Sequence, residues 1–530
     1  MIPFAAPLDD ILFSLDAVGA SDLPDYDRDL TAELGGFFAQ FAEGELAPIN
    51  MSGDEQGARL IDGRVKMPDG FGAAYTAYAE QGWQGLCAPE EFGGQEQNGL
   101  IGAVTSEIFI GANHSLQMVV GLVPGAIRTI LNFGTPEQQA RYIPALVEGR
   151  AISTMALTEA GAGSDLSRIR CRAVEGDNSG WTISGEKIFI SGGDQDLSEE
   201  ILHLVLARTS DDGVKGLSLF ACPSHLPDGT RNPITITRIE EKMGLHASPT
   251  CQMAFDGAHA ELLGKPGQGL AAMFTMMNHA RLDVSLQGVA HAARATQIAR
   301  AYAADRTQGR TEAGDATLDQ HPDVIRMLDE MDALALSARA VAHFAMVNLE
   351  RGDQNDLVDF LTPVAKVFCT ESGLRAADTG IQVLGGYGYL TEYGVSQVWR
   401  DARITAIYEG ANGIHALATA TRGVNYGAGA DRFAEVLTDM LGESSIVSDW
   451  IAARDVLRAE KRAAPELAHD FMQMTAWALT LGLWGRLSAA GETSHAPDRI
   501  ARLSRLVAIR FAPEFTAARD RFNATRAMAA

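Results

Sequence analysis

ALTEAGAGSDL, residues Ala156–Leu166, stands where the texture of the chain changes from helical to β. Before it, from about Asp25 to Arg150, apolar residues fall at helical spacing, as in Ala32–Phe41 and Ala73–Gly82. Thr135-Pro136-Glu137-Gln138 predicts a helix start, with a threonine cap and proline in the first turn. After the block, to about Gly264, short alternating or β-branched runs occur at Trp181–Ile190, His203–Ala207, Leu217–Ala221 and Ile234–Ile239. Gly, Asp, Asn and Pro punctuate them, which predicts an antiparallel sheet or a small barrel. The block itself has no GxGxxG opening a helix after a strand, so it is not a dinucleotide fingerprint. It offers instead a row of backbone N–H groups and the hydroxyls of Thr158 and Ser164, suited to carbonyl or phosphate oxygens. Downstream, Phe189 and Ser191 lie two residues apart, which on a regular strand puts an aromatic ring and a hydroxyl on one face.

Helical texture returns after Lys265-Pro266-Gly267 in three long segments, Met273–Arg306, Pro322–Arg351 and Pro363–Leu384, predicting an antiparallel bundle. Tyr426–Ala430 reads as a linker. Beyond it Phe433–Met440, Ser448–Arg462, Glu466–Leu487 and Pro497–Arg521 predict further helices. The expectation is an α+β assembly: an N-terminal helical domain over 1–150, a β domain over 151–264, a helical bundle over 265–425 and an additional helical domain over 426–530. The lack of strand–helix alternation argues against a doubly wound sheet.

The chain of 530 residues carries 43 Lys+Arg against 68 Asp+Glu, a net charge of −25, which would repel a polyanionic duplex and excludes nucleic acid as a partner of the whole surface. Only seven of the basic residues are lysines. Five scattered cysteines, with no CxxC pair and an odd total, predict neither a zinc or other metal centre nor a disulfide framework, but thiols in a reducing cytosol. Met1-Ile2-Pro3-Phe4 opens without a basic n-region, and no uncharged apolar run reaches the ~20 residues of a spanning helix, so a cytoplasmic location away from the membrane is expected.

Within Ile381–Ala418, IQVLGGYGYLTEYGVSQVWRDARITAIYEGANGIHALA, Glu409 lies between Tyr408 and Gly410. A loop glutamate is ordinarily solvated. Here the apolar stretch Ile404–Ile407 before it and the glycine after it predict a carboxylate set in a pocket wall. Desolvation there raises its pKa toward neutrality, as a general base needs.

Taken together these blocks resemble the acyl-CoA dehydrogenase family. The likeness runs, in the family's order, from Pro89-Glu90-Glu91-Phe92-Gly93-Gly94 through Phe133-Gly134-Thr135-Pro136, ALTEAGAGSDL and Glu241-Lys242-Met243-Gly244-Leu245. It continues through Asp305-Arg306, Leu384-Gly385-Gly386-Tyr387-Gly388 and Arg400-Asp401-Ala402-Arg403 to Tyr408-Glu409-Gly410. Phe4–Leu15 and the added C-terminal helices resemble a subfamily whose best-known member acts on 3-methylmercaptopropionyl-CoA.

The resemblance implies an FAD-dependent oxidation of an acyl-CoA thioester to its trans-2-enoyl-CoA, with 3-methylmercaptopropionyl-CoA or a related short or medium acyl-CoA as substrate. It also implies an electron-transfer flavoprotein as acceptor. Glu409 is then the base that takes the α-proton while the β-hydride passes to the flavin. Part of the family draws its base from the residue before the arginine of Ala280-Arg281, and here that residue is Ala280, which cannot take a proton. Two donors to the thioester oxygen, the backbone N–H of the glutamate and a flavin ribityl hydroxyl, are implied as an oxyanion site.

Leu157, Thr158 and Ser191 match flavin-bonding positions, and Phe189 matches an aromatic stacked near the flavin. Ser164 matches a contact to the CoA chain, and Arg281, beside the base in the family, and Tyr408 are implied with it as substrate-binding residues. Arg306 and Gln308 resemble residues that reach the FAD of a neighbouring subunit, and Gln382, Gly385 and Gly386 resemble its adenosine-side contacts. A homodimer or homotetramer is thereby implied. The chain departs from the family at Gly309, Ala411 and Gly413, which remove side chains near FAD. An acyl-CoA oxidase, a flavin monooxygenase on the same scaffold, or a flavin-poor paralogue serving as a binding subunit are the alternatives; retention of Glu409 argues against the monooxygenases.

Overall fold

In the computed structural model, which describes residues 2–176, 180–312 and 314–529, the chain forms two units. One takes in Met1–Glu43, Asn98–Ala112 and Arg281–Ala530, the other Gly44–Gln97 and Asn113–Ala280. The chain starts with α1 (Leu8–Val18), α2 (Arg28–Phe41) and α3 (Asn50–Gln56), then a hairpin of β1 (Arg59–Ile61) and β2 (Arg64–Lys66), then α4 (Phe71–Glu80). That hairpin interrupts the helical texture expected before Arg150. Its cause is Asp62-Gly63, both with positive φ, the pair that a two-residue hairpin turn prefers. α5 (Gly99–Val120), α6 (Val123–Phe133) and α7 (Pro136–Val147) follow. α7 opens as expected: Thr135 and Gln138 each bond the other's backbone N–H in a closed capping box.

The sheet of the second unit comprises β3 (Ala151–Ala156), β4 (Arg172–Glu175), β5 (Trp181–Ser191), β6 (Glu200–Arg208), β7 (Leu217–Pro223), β8 (Ile234–Ile239) and β9 (Thr250–Leu263). Its order is β3-β6-β4-β5-β9-β7, and β6 also pairs with β7, so five strands close a ring. The barrel is as expected, but it is not wholly antiparallel. β3 runs parallel to β6, and β4 meets β6 in parallel at one residue pair. Parallel pairing needs a long crossover, and the segment holding β4 and β5 supplies it.

The first unit is helical. α8 (Gly269–Asp305), which belongs to this unit from Arg281 on, leads into a hairpin of β10 (Thr307–Thr311) and β11 (Gly314–Thr317), then α9 (Pro322–Arg351) and α10 (Asn355–Leu384). Pro363, expected to start a helix, lies inside α10. Leu357, Val358, Phe360 and Leu361 are buried ahead of it, and that packing carries the helix through the lost backbone bond. α11 (Val395–Ala402) and α12 (Asn412–Ala418) precede the C-terminal helices α13 (Gly429–Leu441), α14 (Ser445–Ala459), α15 (Ala464–Ala489), α16 (Pro497–Arg510) and α17 (Ala512–Ala529). The single helix expected over Pro497–Arg521 is thus two, broken at Phe511, with Pro513 in the first turn of the second.

The C-terminal helices share a core with the bundle. Trp450 of α14, fully buried, packs against Phe360, Phe433 and Phe471 of α10, α13 and α15, and its indole N–H donates to Thr475 at 2.9 Å. Ion pairs tie the helices together. Arg499 of α16 bridges Asp10 of α1 and Asp332 of α9, each at 2.6 Å, and the buried Arg339 meets the buried Glu107 at 2.6 Å. Cut off from water, such pairs set the register of the packed helices more than they add net stability. Among the described residues, no single helix is long and apolar enough to cross a membrane.

Candidate active site

A short turn, Arg403–Ala406, carries the chain from α11 into Ile407-Tyr408-Glu409-Gly410 and on to α12. Glu409 takes φ 53° and Gly410 φ 96°. A left-handed non-glycine residue costs about 1–2 kcal/mol, so something must hold it. The Glu409 carbonyl accepts from His415 Nε2 at 3.0 Å and from Arg281 Nε at 3.4 Å. The Gly410 carbonyl accepts from Lys366 Nζ at 2.8 Å. A hydrogen bond from a charged donor contributes about 1.5–3 kcal/mol, enough to offset the strain. A Cβ on Gly410 would lie 2.7 Å from His415 Nε2, so both φ and the close approach require glycine there. Tyr408 is anchored through its hydroxyl to Gln287 Oε1. Burial first, then the charges of Asp283 and Glu409, push its pKa well above the ordinary value, so it stays neutral.

The Glu409 side chain is half-buried, and its Oε2 is sealed from solvent with no hydrogen-bond partner among the described residues. Burial raises its pKa, while Arg281 and then Lys366 draw it back. The result is a carboxylate kept basic by desolvation, kept ionisable by two cations, and with one oxygen uncommitted. A base for a weakly acidic C–H needs that combination. Burial lowers Lys366 to about 8, with Glu409 acting in the other direction. Lys366 and His415 were not among the residues singled out from sequence. The one available signal was a lysine within the apolar run Val364–Cys369 of a chain with only seven lysines.

In the second unit, Lys187 of β5 is fully buried and donates to the Leu157 carbonyl at 3.0 Å and to Glu159 Oε1 at 2.9 Å. The Glu159 carboxylate also accepts from the N–H groups of Arg170 at 2.7 Å and Cys171 at 3.0 Å. Ile188 N–H bonds the Thr158 carbonyl at 2.9 Å. Leu157–Glu159 is therefore stitched to β5, with Thr158 half-buried, whereas Ser164 lies exposed further along the turn. Phe189 takes φ 60° where the β5 register shifts, between Lys187 and Ile190, and it is 61% exposed. The alternation that would put Phe189 and Ser191 on one face fails there, because a left-handed residue breaks the pleat. What results is a large aromatic ring held out at a strained backbone position, the kind of strain that clusters at ligand sites.

The remaining predicted residues lie in the first unit. Arg306 is exposed and stands over the Tyr387 ring, 5.5 Å from its centroid. Gln308, Gln382, Gly385 and Gly386 are exposed, and a Cβ added to Gly385 or Gly386 would meet no atom within 4 Å. Gly309, a departure from the family, has φ 76°, and an added Cβ would lie 3.1 Å from the His321 ring, which itself bonds the Gln308 carbonyl at 2.7 Å. The hairpin explains that glycine. Ala411 is the N-cap of α12 and supplies no side-chain acceptor to its first turn. Gly413 has open space around its Cβ position, and nothing in the structure explains that departure. Within the first unit, bare backbone at Gly385 and Gly386 and an exposed arginine suit phosphate oxygens, and within the second, bare backbone at Gly161 and an exposed aromatic suit a flat ring, the two chemistries that FAD carries.

Family models described as the N-terminal, middle and C-terminal domains of acyl-CoA dehydrogenase match residues 33–150, 154–258 and 267–424. The chain belongs to the acyl-CoA dehydrogenase family, whose members are oxidoreductases of acyl-CoA thioesters. Within it, the chain is similar to 3-methylmercaptopropionyl-CoA dehydrogenase of Ruegeria pomeroyi, 41% identical over 505 residues covering 89% of this chain and 85% of the other. A chain from the structure described as an electron transferring flavoprotein of Acidaminococcus fermentans is 26% identical, with a TM-score of 0.64 over 73% of this chain and 96% of that one. The fold of Caenorhabditis elegans ACDH-11, solved with C11-CoA, superimposes with a TM-score of 0.79 at 20% identity, covering 95% of this chain and 91% of that one. That overlap takes the likeness of fold past residue 424 and into the C-terminal helices.

Proposed function

We propose that Glu409 is the base of an α,β-dehydrogenation and that the substrate is 3-methylmercaptopropionyl-CoA or a related short or medium acyl-CoA. The observation that carries this reading is the partnerless, solvent-sealed Oε2 of Glu409 on its left-handed turn. Glu409 takes the α-proton of the thioester onto that oxygen. Its backbone N–H polarises the thioester carbonyl, so that charge developing on the oxygen is stabilised; one such donor is worth ~10²–10³ in rate. Arg281 and Lys366 keep the carboxyl in its charged form before the transfer and oppose its reprotonation by solvent. Tyr408, locked neutral on Gln287, walls the base without competing for the proton.

Thr158, Ser191 and the backbone of Leu157 would bond FAD, with Phe189 against it. Arg306, Gln308, Gln382, Gly385 and Gly386 would hold the FAD of a neighbouring subunit, which makes the working form a homodimer or a homotetramer. FAD supplies the acceptor for the β-hydride, and an electron-transfer flavoprotein then collects the electrons. Ser164 would contact the CoA chain. The identity to the Ruegeria pomeroyi enzyme and its long overlap support the substrate choice.

The test is anaerobic titration of the purified, FAD-loaded protein with 3-methylmercaptopropionyl-CoA and with short, medium, long and aryl acyl-CoAs. Bleaching of the flavin by the first, and faster than by the long-chain and aryl thioesters, is the expected outcome. Absence of bleaching by every thioester would overturn the reading.

A further inference from the structure

Both carbonyls of the base turn are held by side chains from elsewhere, and one of these holds can be followed outward. Lys366 of α10 is fully buried, and besides the Gly410 carbonyl its Nζ donates to Asn412 Oδ1 at 2.9 Å. The amide of Asn412 donates in turn to Thr370 Oγ1 at 3.2 Å and to Glu371 Oε1 at 3.3 Å. The other oxygen of Glu371 accepts from Gln473 Nε2 at 2.9 Å. Gln473 belongs to α15, beyond the last residue that the family's domain models match. The bonds thus form an unbroken run from a C-terminal helix to the peptide following Glu409: Gln473, Glu371, Asn412, Lys366, Gly410.

We infer that Lys366, backed by Asn412, Glu371 and Gln473, positions the base turn, and that the C-terminal helices thereby act on catalysis through α15 without touching substrate. This rests on the reading of Glu409 as the base. Lys366 fits the role in three ways. Its length lets a helix residue reach a carbonyl on a separate turn. Its burial makes the Gly410 bond costly to exchange for water. Its charge lies close enough to bias the ionisation of Glu409. The charged groups that bear on Lys366 are Glu409, Arg281 and Glu371. The relay also offsets part of the cost of burying a lysine in an apolar helix face: its ammonium donates to the Gly410 carbonyl and to Asn412, whose amide is itself tied to Thr370 and Glu371.

The experiment is stopped-flow anaerobic reduction of the FAD-loaded enzyme by acyl-CoA varied up to saturation, across pH, for wild type, Lys366→Met, Gln473→Leu, Gln473→Lys and Glu409→Gln. Thermal midpoint and flavin content are measured on each. Lys366→Met is expected to slow reduction by about 10²-fold, the scale of a catalytic group misplaced by about 1 Å, with the half-saturating acyl-CoA concentration changed less than about 3-fold. Its acidic limb should move to higher pH, because a cation that favours ionised Glu409 is gone. Gln473→Leu, at a half-buried surface position, should slow reduction by about tenfold with the limb unmoved, and Gln473→Lys, which keeps a donor for Glu371, should restore most of the rate.

Folded, flavin-loaded Lys366→Met with a wild-type rate and limb would overturn the proposal. Wild-type reduction in Gln473→Leu would remove the α15 link. Failure of the base assignment reads differently: Glu409→Gln would itself be reduced at the wild-type rate.

Discussion

Replacing Lys187 by Met removes the cation that ties the Leu157–Glu159 turn to β5. Lys187 is fully buried and Glu159 is 10% exposed, at 2.9 Å, so the pair sits in the regime where removing one partner costs about 3–5 kcal/mol. Glu159 keeps the N–H groups of Arg170 and Cys171, which places the expectation at the low end, about 3 kcal/mol. The Leu157 carbonyl also loses its donor. If the loss falls on the turn alone, FAD binding should weaken by about 10²-fold, at about 1.4 kcal/mol per factor of ten. The assay is titration of apoprotein with FAD, followed by quenching of flavin fluorescence, alongside the urea midpoint. Adding Glu159→Gln in the Lys187→Met background should recover part of the loss, because it removes the unpaired carboxylate. FAD affinity within about threefold of wild type (about 0.7 kcal/mol), with an unchanged urea midpoint, would refute the claim that this buried pair shapes the turn.

Gly410→Ala should slow flavin reduction by at least about tenfold while leaving the thermal midpoint within a few degrees, because the clash with His415 and the positive φ are confined to the base turn. Equal losses of rate and stability would instead show that the turn belongs to the fold's main cooperative unit. Buried His203, His291 and His343 are pushed down by burial to about 4, about 3 and about 3. Below the unfolded value of about 6.5 the unfolded chain therefore takes up protons that the native chain refuses. Stability should fall as pH drops from there toward those folded values, and be full above it. Differential scanning calorimetry from pH 7.5 to 5 checks this, and a level or rising midpoint on acidification would contradict it.

The order of helices, barrel and helices could be read from the chain because each texture persists for many residues: Pro322–Arg351 was delimited to the residue by its proline and the glycine after it. Where single residues decide, the reading slipped. Pro363 looks like a helix start because proline suits the first turn, yet four apolar side chains ahead of it pull α10 across. Pro513 carries the signal for a second C-terminal helix, but the helix formers around it read as one continuous helix. β9, the longest strand, escaped because Gly257 and its small and polar neighbours hide an alternation that only pairing with β5, β7 and β8 reveals. At the site, the apolar run before Glu409 and the glycine after it do mark a carboxylate withdrawn from solvent. Lys366 and Lys187 could not be found this way, since a buried lysine is identified by what it bonds and those partners are remote in the chain. Phe189 shows another limit: a regular strand is expected through it, and its left-handed backbone breaks that strand.

The central claim is that the Glu409 carboxylate removes the α-proton. Glu409→Gln preserves the shape of the side chain and removes only the site that takes the proton. Anaerobic mixing of this variant, loaded with FAD, with the acyl-CoA that bleaches the wild type measures the claim directly. The account predicts unchanged flavin content and binding of the thioester, with flavin reduction slowed by ~10²–10⁴-fold. Reduction at a rate near that of wild type would contradict it.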